Sequence, residues 1–168
     1  MAGARNHYEQ CFSGLLLEHG LHALAVDESR RPLWGDRELK NFDFLVNGAE
    51  RVYAIDLKGR RETPWITRLD MFSMMAWQRL LGDTAQPAFV FAFYSAHGSE
   101  PGRIAKLDAT QRSTPAGMYR FVMLELADAQ RLARPRSERW GTLGFGWTGF
   151  ARAAKPLELA LGLGALAG

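Results

Sequence analysis

Residues 42–58 constrain the fold more than any other stretch. They read as two short strands around Asn47-Gly48, a dipeptide that suits a tight hairpin turn because both residues tolerate positive φ. The second strand alternates: Tyr53, Ile55 and Leu57 share one face, and Val52, Ala54, Asp56 and Lys58 share the other. The first face is large and apolar and is expected in the core. The second starts small and apolar and ends in an acid and a base. A charge pair at the end of a buried strand is costly unless it has partners or a task. If the loop holds an even number of residues, strand parity brings Asp43 to the side of Asp56 and Lys58. Two carboxylates and an ammonium then converge at one mouth of the sheet. Paired carboxylate oxygens suit Mg²⁺ or Mn²⁺. A neighbouring Lys can orient or deprotonate a water, or offset charge on a phosphoryl group.

The elements around this hairpin follow from periodicity. Residues 6–19 form a first helix, with Asn6 as N-cap, Glu9 at capping-box spacing, an apolar stripe of Tyr8, Cys11, Phe12, Leu15 and Leu16, and Gly20 beyond its end. Residues 21–26 form a short strand, and residues 27–40 a charged surface connection with some helix near 36–39. Thr67 and Asp70 make a second capping box, opening a helix to about Leu81 whose buried stripe is Leu69, Phe72, Met75, Ala76 and Leu80. The apolar run 87–94 is a strand covered on both faces, and the crossover makes it the parallel neighbour of residues 52–58. A strand over 118–125, a short helix over 127–133, a glycine-rich cap over 141–149 and a helix over 150–161 complete the chain. The expected fold is α/β, a central mixed sheet of about five strands flanked by helices. Residues 1–168 are expected to form a single domain, with residues 126–168 a C-terminal extension packed on the core.

Asp43, followed thirteen residues on by Asp56-Leu57-Lys58, resembles the PD-(D/E)xK nuclease superfamily, which includes restriction endonucleases, archaeal Holliday junction resolvases and RecB-type nuclease domains. Phe42 stands where the family name has Pro, the second acid is Asp56 rather than Glu, and Gly82 departs from the RecB-like pattern four residues after Gln78. The resemblance implies a restriction endonuclease-like core and a metal-dependent phosphodiesterase, most readily a DNA endonuclease. It implies Asp43, Asp56, Lys58, Glu9 and Gln78 as catalytic residues, with Asp43, Asp56 and Glu9 toward Mg²⁺ or Mn²⁺. For Glu9, the helix-capping role and the metal role both stay open. For Gln78, a phosphate or water contact and a plain helix-boundary position both stay open.

Lys and Arg number 21 against 18 Asp and Glu, a net charge of +3 that is compatible with nucleic acid and does not require it. Arg60 and Arg61 directly follow the acid–base pair, where they would hold a substrate strand, and Arg136, Arg139 and Trp140 combine cations with a stacking ring. DNA is the expected partner, and a homodimer is compatible with the chain. The lone Cys11 excludes an internal disulfide and a Cys-based zinc site. Residues 1–7 carry no apolar leader, and the apolar residues 157–168 are too short to span a bilayer, so a cytoplasmic location is expected. The rival readings are a non-catalytic nucleic-acid-binding module on the same fold, an RNA-directed nuclease, and an assembly subunit whose charges are only ion pairs. A nucleotide-binding protein is disfavoured, because no GxGxxG or GxxxxGK motif is present.

Overall fold

A computed structural model describes residues 6–163. Residues 1–5, part of the stretch read as lacking a leader, and residues 164–168 at the end of the C-terminal extension lie outside the described residues. Helix α1 (His7–Glu18) begins at Asn6, whose Oδ1 accepts the Glu9 N–H at 3.0 Å. Strand β1 (Ala23–Ala25) follows, then a two-stranded hairpin of β2 (Leu33–Trp34) and β3 (Arg37–Glu38), where the sequence suggested helix. Strands β4 (Phe44–Asn47) and β5 (Val52–Arg60) form the central hairpin, and β6 (Trp65–Thr67) leads into helix α2 (Arg68–Leu81). Next come β7 (Gln86–Ala96), the single turn α3 (Gly102–Ala105), β8 (Thr110–Ser113) and β9 (Gly117–Glu125). The C-terminal part contains α4 (Leu126–Leu132), β10 (Ala133–Ser137), β11 (Thr142–Phe145), α5 (Trp147–Ala153), β12 (Lys155–Pro156) and α6 (Leu157–Ala160).

The main sheet has seven strands rather than five, in the order β1-β4-β5-β7-β9-β12, with β8 also paired to β9. Only β5 and β7 run parallel, joined by the crossover through α2, so the sheet is mixed. Both its faces are covered. On one, Ala54, Phe89, Phe91, Phe93, Val122 and Leu124 meet Met71 and Met74 of α2, Leu126 and Ala129 of α4, and Phe150 of α5. On the other, the smaller Ala88, Val90 and Ala92, with Ile55 and Phe121, pack against Cys11, Phe12, Leu15 and Leu16 of α1 and Leu157 of α6. The two extra strands come from segments read as connection and helix. Residues 110–113 pair with β9, and the helix expected over 150–161 is broken at Lys155-Pro156, which pairs with β9 instead.

A second sheet of three strands, β10-β11-β6, was not foreseen. Its β10 contains Arg134-Pro135-Arg136, and its β11 uses glycine-rich sequence expected to be loop. Proline is tolerated in β10 because it is an edge strand.

The central hairpin closes through a four-residue loop, 48–51, since Asn47 pairs with Val52 and the Gly48 N–H donates to the Arg51 carbonyl at 3.0 Å. Neither Asn47 nor Gly48 takes positive φ. Glycine serves there by space, because a Cβ at 48 would lie 3.0 Å from the Arg51 carbonyl oxygen and 3.3 Å from the Tyr53 ring. The α2 stripe is also rotated from expectation. Asp70, Met71, Ser73, Met74 and Ala76 are buried, while Leu69, Met75 and Leu80 are exposed. The cause is polar and is described with the site.

Gly59 sets how α1 sits over the end of β5, because a Cβ there would enter the Tyr8 ring. Gly59→Ala should therefore destabilise the fold by about 1–3 kcal/mol through overpacking. The check is the midpoint of urea denaturation, and an unchanged midpoint would mean that α1 moves freely away.

Candidate active site

The β4–β5 ladder ends at the Phe44–Ile55 pair, so the last residues of β5 run on beside β7 alone. Asp43, one residue before β4, turns its side chain into that gap. Its Oδ2 accepts the Leu57 N–H at 2.6 Å, replacing the backbone partner that β4 no longer supplies. Parity brings Asp43 level with Asp56 on the α2 face, where Ala54 is buried and where Lys58 also projects. The juxtaposition read from the sequence for these three residues is therefore present.

Asp56 is only 2% exposed. Its Oδ1 lies 2.9 Å from Lys58 Nζ and 3.9 Å from Lys40 Nζ, yet no donor is aligned on it in hydrogen-bond geometry. Burial pushes the Asp56 carboxyl above the usual carboxylate range, against the pull of the two ammonium groups. Burial also pushes Asp43 up, to about 10, helped by the Glu28 carboxyl beside it and by Asp56. Two adjacent buried acids, one of them with an oxygen that no donor is aligned on, suit a positive centre. A hard divalent cation that keeps most of its water suits them, with Asp43 and Asp56 as its protein ligands. Among the described residues, no three His, Cys, Asp or Glu side chains gather closely enough to hold a metal alone, so water would complete the shell.

Two further residues complete the cluster: the sequence reading took Asp70 only for a helix cap and Lys40 only for one cation of a surface connection. Asp70 Oδ1 accepts from Lys40 Nζ at 2.8 Å and lies 3.0 Å from Lys58 Nζ. Its Oδ2 accepts the Thr67 N–H at 2.8 Å, and its own N–H donates to Thr67 Oγ1 at 2.9 Å. The capping box is thus real, but its carboxylate also serves the site. Burial opposes ionisation of Asp70, and the Lys58 and Lys40 charges overcome it, holding the carboxyl well below the usual range. Lys40 is fixed by three α2 side chains at helical spacing: Asp70 on its ammonium, Ser73 Oγ on its N–H at 2.8 Å and Trp77 Nε1 on its carbonyl at 3.0 Å. This stripe turns α2 away from the expected apolar one. Burial lowers the affinity of the Lys40 amine for its proton, and Asp56 and Asp70 more than restore it, so its pKa is raised.

The other candidates lie in varied surroundings. Glu9 stays in the first turn of α1, where Asn6 Nδ2 donates to its Oε1 at 3.2 Å. Gln78 is exposed and lines a groove with Trp34, Phe72, Met75 and Arg79. Arg60 is half-buried, donates to the Trp65 carbonyl and lies 3.8 Å from the Trp65 ring centre, with Arg136 also over that ring at 5.4 Å. Burial lowers its pKa to about 10. Arg61 is exposed, and Arg139 sits 5.0 Å from the ring of Trp140, which is 70% exposed.

No family model and no curated protein matches this chain significantly. A solved structure does: Hjc, a Holliday junction resolvase from the archaeal hyperthermophile Archaeoglobus fulgidus, with a TM-score of 0.54 over 92% of this chain and 97% of that one, at 13% identity. The fold is restriction endonuclease-like. The mixed sheet flanked by helices expected from the hairpin motif is thereby present in full, with two strands more than expected. Among the described residues, no helix is long and apolar enough to cross a membrane.

The raised Asp43 pKa has a consequence for stability. The unfolded chain ionises Asp43 near pH 4 and the metal-free fold only near pH 10, so stability from this group is present at low pH and is lost progressively between those values. Asp43→Asn should raise the melting temperature of metal-free protein, with a gain that grows from pH 5 to pH 9. A gain independent of pH would show that Asp43 is ionised throughout.

Proposed function

We propose that this protein is a metal-dependent nuclease that hydrolyses phosphodiester bonds, and that its substrate is DNA cut internally. The observation that carries the reading is the convergence of Asp43, Asp56 and Lys58 at the open end of β5. The likeness to a Holliday junction resolvase supports the fold on which such a site acts, and it favours DNA over RNA.

Asp43 and Asp56 would hold Mg²⁺ or Mn²⁺, which when bound polarises a phosphodiester and acidifies a coordinated water. Lys58 keeps its ammonium at the edge of this pair, where it orients the attacking water and offsets negative charge growing on the phosphoryl oxygens. Ala54, Phe89 and Phe91 wall the α2 side of the sheet, so the charges act against a low dielectric. Arg61, Arg136 and Arg139 lie exposed on neighbouring surfaces, and each would add a salt-sensitive phosphate contact.

The test is incubation of plasmid, single strand, branched junction and RNA with Mg²⁺, Mn²⁺ or EDTA. Cleavage of DNA with either metal and none in EDTA is expected. Asp56→Asn and Lys58→Met should each lower the single-turnover rate by roughly a hundredfold or more, the scale of one lost transition-state contact. Equal rates for wild type and Lys58→Met would remove Lys58 from the chemistry. Salt-sensitive DNA binding without cleavage under any condition would establish the non-catalytic module instead.

A further inference from the structure

Asp70 stands outside the motif that suggested the site, yet it meets both lysines of the cluster, as Asp56 does. One carboxylate oxygen is committed to the start of α2 through the Thr67 N–H, and the other receives both lysines. The side chain is 3% exposed, so these interactions are not diluted by water. Lys58 is 7% exposed and shared between Asp56 and Asp70, at 2.9 and 3.0 Å. Lys40 favours Asp70, at 2.8 Å against 3.9 Å to Asp56.

This sharing bears on how Asp56 can serve a metal. A carboxylate held by an ammonium is a poor ligand until that ammonium moves. With Asp70 beside it, Lys58 has a second acceptor at the same distance and can leave Asp56 without becoming a buried, unpaired cation. Without Asp70, Asp56 would be the one carboxylate left to both lysines in this cluster, and a divalent ion would compete with two cations for it. Because Asp70 is pinned by the capping box and Lys40 by Ser73 and Trp77, the acceptor does not follow the lysines when they shift.

We propose that Asp70 is a positioning residue that draws the Lys58 and Lys40 ammonium groups off Asp56, freeing Asp56 for the metal and aiming both cations at the substrate phosphate. The inference rests on the nuclease reading for its substrate, but its metal half is testable without cleavage.

Asp70→Asn keeps an oxygen for the Thr67 N–H and removes the charge that holds the lysines. Mn²⁺ binding, followed by calorimetry on the full chain, should weaken about tenfold or more, on the scale of a lost hydrogen bond to a charged group. The decisive comparison is the same substitution in a Lys40→Met/Lys58→Met background, where Asp56 has no competing ammonium. There Asp70→Asn should change Mn²⁺ affinity less than about twofold, as expected when two sites act through one another. Equal weakening in both backgrounds would overturn the proposal, since Asp70 would then act on the metal by charge alone. Tyr53→Phe controls for lost stability alone, since Tyr53 lies on the α1 face and its hydroxyl donates to the Ala160 carbonyl at 3.2 Å. It should lower the melting temperature while leaving Mn²⁺ affinity and the single-turnover rate on labelled DNA near wild type, and a loss of Mn²⁺ affinity like that of Asp70→Asn would also overturn the proposal. Asp70→Glu should recover part of the affinity and rate, and recovery no better than Asn counts against positioning. The two readings fail separately. A wild type that cleaves, with Mn²⁺ affinity and rate both unmoved by Asp70→Asn, removes the positioning role alone. A wild type that shows the Mn²⁺ coupling but cuts no nucleic acid removes the nuclease reading alone.

Discussion

The buried carboxylate of Asp70, received by Thr67 on one side and by Lys40 and Lys58 on the other, fixes the relation between α2 and the sheet. Four ionic side chains, Lys40, Asp56, Lys58 and Asp70, lie within one cluster of which only Lys40 reaches solvent appreciably. Such an arrangement is a weak source of stability, because desolvation of each ion cancels much of the attraction. It is a strong source of specificity, since removing one partner strands a buried charge at about 3–5 kcal/mol. The helix accordingly turns Asp70, Ser73 and Trp77 inward and leaves Leu69, Met75 and Leu80 partly in water. An apolar stripe can slide or rotate at modest cost. A set of short, directed bonds to an ammonium, an N–H and a carbonyl cannot.

The site exists because two strands end at different places. Were β4 as long as β5, backbone pairing would seal the edge of residues 56–60. Instead the ladder stops at Phe44–Ile55, and the Asp43 carboxylate takes the Leu57 N–H. The opening is polar at its rim and backed by the phenylalanines of β7, whose alternation with Ala88, Val90 and Ala92 makes the sheet thick on the α2 side and thin on the α1 side. On the thin side Gly59 admits Tyr8, so α1 closes over the strand end and carries Glu9 with it.

The small second sheet extends this mouth. It ties β6, which directly precedes α2, to the C-terminal hairpin of β10 and β11. Trp65 carries the guanidinium groups of both Arg60 and Arg136 over its ring, at 3.8 and 5.4 Å from the centre. Trp140, at the tip of the hairpin, presents most of its surface to solvent, with Arg139 beside it. Of the two rings, Trp140 is the more exposed.

Much of this was legible locally. The alternation of residues 52–58, the turn between two apolar runs and the crossover through a capped helix depend on neighbours in sequence, and they determined the mixed α/β sheet, the parallel β5–β7 pair and the shared face of Asp43, Asp56 and Lys58. Parity held even though the loop is not the one Asn47-Gly48 suggested, because any even loop preserves it. What the sequence could not decide were relations between distant segments. Thr67-x-x-Asp70 announces a helix start but not that the same carboxylate reaches lysines 30 and 12 residues upstream. Lys40 looked like one of several surface cations, and Gln78 stood open between a site contact and a helix-boundary position, because the rotation of α2 is fixed by bonds to residues 40 and 58 rather than by its own apolar pattern. The strands at 65–67, 110–113, 133–137 and 142–145 carry weak periodicity and become strands through the partners they find. Local pattern determined which elements form and which residues share a face; only tertiary structure decided which charges meet, because a buried ion takes its place from the partners that remove it from water.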